Sequence, residues 1–117
     1  MDGDIERLKK RFEQQLHETA ELATQLQVAE GGRAVRRYAQ IELAAHEAGK
    51  RVSQQIQARM GREVAAEAPP QAACPSCGQE WPVIAEDRTV ASIDGPVTLT
   101  EAKAHCDRCR RSFFPSA

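Results

Sequence analysis

The chain has 117 residues, 41% of them hydrophobic but only 4% aromatic, with 16 Lys+Arg against 17 Asp+Glu. That length allows one small domain or two mini-domains and excludes a large enzyme core, because short chains bury a smaller share of their surface. A net charge of −1 excludes a histone-like polybasic protein while leaving room for local basic clusters.

From Asp4 to about Glu30 the apolar residues fall at Ile5, Leu8, Phe12, Leu16, Leu22, Ala23 and Leu26. Three-and-four spacing puts them on one stripe of an amphipathic helix. Asp2, Asp4 and Glu6 suit a helix start, and Gly31-Gly32 suits a helix end. A second helix is predicted from Arg33 to about Arg62, with Ala34, Tyr38, Ile41, Ala45, Ala48, Val52 and Ile56 on one face. The short break between them and the small residues Ala44, Ala45, Ala48 and Gly49 favour an antiparallel pair. Residues 1–64 therefore read as a helical hairpin, and its narrow stripe also suits a homodimer through the helical region.

Residues 65–73 carry Pro69-Pro70 and no apolar period, and they read as an Ala/Pro linker. Beyond them, residues 74–117 change character. Arg88–Ile93 and Val97–His105 read as strands around an Asp94-Gly95 turn whose residues tolerate positive φ, with Trp81–Ile84 as a third, shorter strand. The fold class expected is α+β: a long N-terminal helical hairpin, then a small three-stranded antiparallel ribbon.

The strongest signal is a pair of CxxC motifs, Cys74-Pro75-Ser76-Cys77 and Cys106-Asp107-Arg108-Cys109, separated by 28 residues. No apolar run is long enough to cross a bilayer, and the acidic start Met1-Asp2-Gly3-Asp4 is unlike a secretion signal. A cytoplasmic location with no membrane association is therefore expected, and cytoplasmic thiols stay reduced. Two such knuckles close a tetrahedral site, so Cys74, Cys77, Cys106 and Cys109 are expected to hold one structural Zn2+ per chain. A four-thiolate shell leaves no open position for substrate. Iron shares this ligand set. A redox CxxC would need a βαβ setting, and a zinc deaminase would need an H-x-E element, neither of which is present. His105 adjoins Cys106 but is read as an exposed strand-end residue. Trp81, Phe113 and Phe114 are expected to shield the site.

Two basic clusters stand out as candidate nucleic-acid contacts: Arg33, Arg36 and Arg37 at the start of the second helix, and Arg108, Arg110 and Arg111 around the second knuckle. No nucleophile triad, paired catalytic carboxylates or phosphate-binding glycine loop is visible, so neither catalysis nor a small-molecule substrate is expected.

The segment Arg88–Thr100, with Gly95-Pro96-Val97 at its turn, is preceded by the Cys74–Gly78 knuckle and followed by Cys106–Cys109 and Phe113-Phe114-Pro115. Together these elements resemble the N-terminal zinc-ribbon region of the ISKra-type insertion-sequence transposases, over roughly residues 70–117. The resemblance implies an origin in DNA transposition, with the ribbon recognising element ends or organising the transposase. Such transposases continue into an RNase H-like catalytic domain with acidic metal ligands. This chain stops at Ala117, so no catalytic carboxylate carries over, and a non-catalytic, truncated or separately encoded remnant is expected. The other function class the sequence allows is a coiled-coil/zinc-ribbon adaptor that binds another protein.

Overall fold

The computed structural model describes residues 2–31 and 37–115. Two long helices, α1 (Asp2–Gly31) and α2 (Tyr38–Ala66), precede four strands: β1 (Gln71–Ala73), β2 (Glu80–Ser92), β3 (Gly95–Cys106) and β4 (Arg111–Phe113). The α+β class holds. The chain divides into two compact units, Met1–Gly49 and Lys50–Ala117, so the second half of α2 belongs with the sheet.

In the first unit, Asp2 and Asp4 occupy the first turn of α1, where carboxylates favour the helix dipole. Arg37 caps α2: its carbonyl accepts the amides of Gln40 and Ile41, both at 3.0 Å, and its own amide donates to Gln40 Oε1 at 3.4 Å. This reciprocal arrangement satisfies donors that the first helical turn leaves open. Neither helix contains a buried residue. The stripe expected to build a hairpin core stays on the surface, with Ile5, Leu8, Phe12, Leu16, Leu22 and Leu26 between 43% and 65% exposed.

In the second unit the strands form one antiparallel meander in the order β1-β2-β3-β4. Four strands replace the expected three, for two reasons. Nothing breaks the chain between Trp81–Ile84 and Arg88–Ile93, so the two predicted strands are one, β2. The flanking pieces β1 and β4 have three residues each, too few to show a period of two. β1 takes the last three residues of the segment read as a linker, pairing Gln71 with Pro82 and Ala73 with Glu80. Pro82 sits one position outside the β2–β3 ladder, which begins at Val83–Ala104, so its missing N–H falls where pairing ends.

The β2–β3 register places Glu86 directly opposite Glu101. Like charges facing each other across strands are destabilising, and here each takes a diagonal cation. Lys103 Nζ lies 3.2 Å from Glu86, and Arg88 Nη2 donates to Glu101 at 2.8 Å. The register pairs Ser92 with Gly95, so the turn residues are Ile93 and Asp94 rather than the expected Asp94 and Gly95, and the positive φ, 99°, falls on Gly95 at the start of β3. Ser92 Oγ instead fixes the turn, accepting the Asp94 amide at 3.2 Å and donating to the Gly95 carbonyl at 2.6 Å.

The turn is clamped to α2. Ser53 Oγ donates to Asp94 Oδ2 at 2.6 Å, Gln54 Nε2 donates to the Asp94 carbonyl at 2.7 Å, and Gln57 Nε2 reaches Ser92 Oγ at 3.4 Å. One helical turn further on, Gly61 lets α2 approach β3: a Cβ there would lie 2.6 Å from Leu99 Cδ1. Among the described residues the buried apolar ones are few: Cys74, Val97, Ala104 and Cys106.

Candidate metal centre

Each knuckle is built by a short turn that reverses sharply. In the first, the Gly78 amide donates to the Cys74 carbonyl at 2.8 Å and the Cys74 amide to the Gln79 carbonyl at 2.9 Å. Gly78 completes the reversal in the left-handed region at φ 78°. In the second, the Cys109 amide donates to Cys106 Sγ at 3.2 Å, and the residue after the knuckle is again left-handed. That residue is Arg110, at φ 57°. The two knuckles thus share one backbone solution, but only the first carries the glycine that reveals it in sequence.

The β3 pleat delivers the second pair. Ala104 and Cys106 point inward and are 1% and 0% exposed, while His105 between them faces out, as period-two alternation requires. His105 bonds through Nδ1 with Ser112 Oγ at 3.1 Å and stands outside the cysteine group, as expected of a strand-end residue. Arg111 Nη2 donates to Ser76 Oγ at 3.2 Å, which ties the second knuckle to the first.

The four sulfurs all lie within 4.8 Å of one another. Cys74 and Cys109 are 3.9 Å apart, and Cys77 and Cys106 are 3.6 Å apart. A tetrahedral shell with metal–sulfur bonds of about 2.3 Å needs sulfurs about 3.8 Å apart, whereas a disulfide needs about 2.05 Å. The four cysteines are free and their geometry could hold a metal ion. All four predicted ligands are therefore brought together, among the described residues.

Electrostatics within the cluster are uneven. Amides of Cys77 and then Ser76 donate to the Cys74 sulfur and lower its pKa to about 6. Burial, followed by hydrogen bonding with Cys77 and Cys106, pushes Cys109 up to about 12. A metal binding all four as thiolates must displace protons, so acidification opposes it. Metal affinity measured by chelator competition is expected to fall steadily as the pH drops from 8 to about 6, where even Cys74 is about half protonated in the metal-free chain. Affinity that does not change over that range would argue against thiolate ligation.

The aromatic residues divide. Phe113 is half-buried and pairs with Ala104, but Phe114, just past β4, is 61% exposed. With Met60, Val64 and Leu99 it lines an apolar cleft. Trp81 is half-buried with its indole N–H unpartnered.

Of the predicted arginines, Arg33 and Arg36 lie outside the described residues, and Arg37 is exposed at the α2 cap. Arg111 is exposed but bound to Ser76. Arg108 and Arg110 are exposed, and among the described residues their side chains make no ion pair or hydrogen bond. No helix among the described residues is long and apolar enough to cross a membrane. No protein family, curated protein or solved structure matches the chain.

Proposed function

We propose that the cysteine cluster is a structural zinc site and that the chain is a non-catalytic DNA-binding or assembly module of the transposase type its sequence resembles. Zinc suits a closed four-sulfur shell, which offers neither an open coordination position nor a need for redox chemistry. The observation that carries the DNA reading is Arg110. A left-handed position costs an L-residue about 1–2 kcal/mol relative to glycine, yet an arginine stands there with its side chain uncommitted. Arg108 is free beside it, whereas Arg88 and Lys103 are engaged within the sheet and Arg111 with Ser76 of the first knuckle. Two unpaired guanidinium groups next to a rigid knuckle make a phosphate-binding edge.

Arg110→Gly separates function from fold. The variant is expected to melt at a higher temperature, since it relieves the left-handed strain, while binding duplex DNA more weakly. Arg108→Ala with Arg110→Ala should reduce the slope of log affinity against log salt by about 2, as two lost phosphate contacts release fewer counterions. Fluorescence anisotropy across a salt series reads both. An unchanged slope, or no binding by the wild type at low salt, would remove the DNA reading. The apolar cleft of Met60, Val64, Leu99 and Phe114 favours a second reading, an adaptor that binds another protein. Phe114→Asp should then abolish partner binding and leave DNA binding untouched.

A further inference from the structure

We infer that α1 is one half of a parallel, in-register, two-stranded coiled coil whose other half is α1 of a second copy of this chain. The inference does not rest on the metal or on DNA. It starts from exposure: α1 is 30 residues long with no buried residue, and its six largest stripe residues stay on the surface. A lone amphipathic helix gains little from propensity alone and owes its stability to packing of its apolar face.

The stripe has the form of a heptad seam. Placing Ile5 at an a position puts Leu8, Leu22 and Ala29 at d, Phe12 and Leu26 at a, and Leu16 and Ala23 beside the seam at e. The centre is polar, with Gln15 at d and Thr19 at a. In register, each of these meets its own copy. A shift of one heptad would set Gln15 against Leu22 and Thr19 against Leu26, leaving polar groups against apolar ones, so the polar centre selects the register.

Flanking charge selects the orientation. In a parallel pair, g-position residues face e-position residues of the next heptad on the partner, which sets Asp4 against Lys9 twice and creates no like-charge pair. An antiparallel pair that matches Leu8 with Leu26 and Phe12 with Leu22 sets Glu18 against its own copy, and Lys9 meets only Ala23. The available area is adequate. The six large side chains expose on the order of 600 Å² per copy, most of the roughly 800 Å² that each partner contributes to a stable interface, and the stems of Lys9, Arg11 and Glu18 flank them.

Sedimentation equilibrium of the full, metal-loaded chain tests the partner. Wild type is expected to be a dimer at micromolar concentration, and Leu22→Glu should weaken it roughly 100-fold by placing a charge in the seam. Leu22→Glu should keep the wild-type metal content, which shows that the sheet unit remains folded. A monomeric wild type, or a dimer indifferent to Leu22→Glu, would overturn the inference. Ile5→Cys tests orientation. Parallel copies bring the two introduced thiols together and mild oxidation should link them covalently, whereas antiparallel copies hold them roughly 36 Å apart. A dimer that fails to cross-link would overturn the parallel arrangement.

Discussion

Stripping the metal with a chelator, or replacing Cys106 with serine, is expected to unfold residues 71–113 while α1 stays helical. Two of the four buried apolar residues of the described chain, Cys74 and Cys106, belong to the cysteine cluster, and the other two are a valine and an alanine. Burying Val97 contributes about 1.5–3 kcal/mol. A zinc ion held by a small peptide site contributes on the order of 10–16 kcal/mol, as much as the whole stability of an ordinary domain. Without it, the sheet has no core to fall back on. Cys106→Ser is expected to be the most damaging single change within the cysteine cluster, because that side chain is completely buried and lies within 3.6 Å of Cys77 Sγ. Trp81 is the only tryptophan and sits half-buried in β2, so its emission reports on the sheet alone. Chelation should shift it to the red of a solvated indole, and readdition of zinc should reverse the shift. Emission indifferent to chelator would mean that the sheet folds without metal.

Gly95→Ala is expected to destabilise the metal-loaded protein by about 2–4 kcal/mol. Two separate costs combine. Gly95 has φ 99°, outside the narrow left-handed basin that an alanine tolerates. Its new Cβ would also lie 2.8 Å from Gln54 Nε2, displacing the amide that donates to the Asp94 carbonyl. Gln54→Ala alone removes only that hydrogen bond and should cost about 0.5–1.5 kcal/mol. The two changes share a partner, so they should not add: Gly95→Ala in a Gln54→Ala background should cost less than in the wild type. Thermal denaturation of the four proteins of this cycle checks the account, and strict additivity would show that Gln54 does not hold the turn.

The cysteine cluster was legible because CxxC spacing expresses a local constraint. Two residues between cysteines is what a knuckle needs, and Gly78 marks the reversal after the first one. The same reversal after Cys109 was hidden, because Arg110 adopts it without the residue type that announces it. The hairpin was legible from Asp94-Gly95, although its turn lies one residue earlier, at Ile93-Asp94, and the positive φ falls on Gly95 alone. The docking face of α2 was not. Sequence periodicity singles out Val52 and Ile56, which remain 38% and 45% exposed, whereas the sheet is held through Ser53, Gln54, Gln57 and Gly61. A contact made by two amides, a hydroxyl and a missing side chain carries no hydrophobic signal. Strands of three residues, such as β1 and β4, owe their existence to pairing with β2 and β3 and are equally silent. On α1 the stripe was read correctly as a pattern, but nothing in the described chain covers it.

X-ray absorption at the zinc edge of the protein purified under reducing conditions, together with metal analysis, reads the bound metal and its neighbours. One zinc per chain is expected, with four sulfur neighbours at about 2.3 Å and no nitrogen or oxygen in the shell. A metal-free protein, a chain loaded with iron, or a zinc shell containing a nitrogen or oxygen ligand would contradict it.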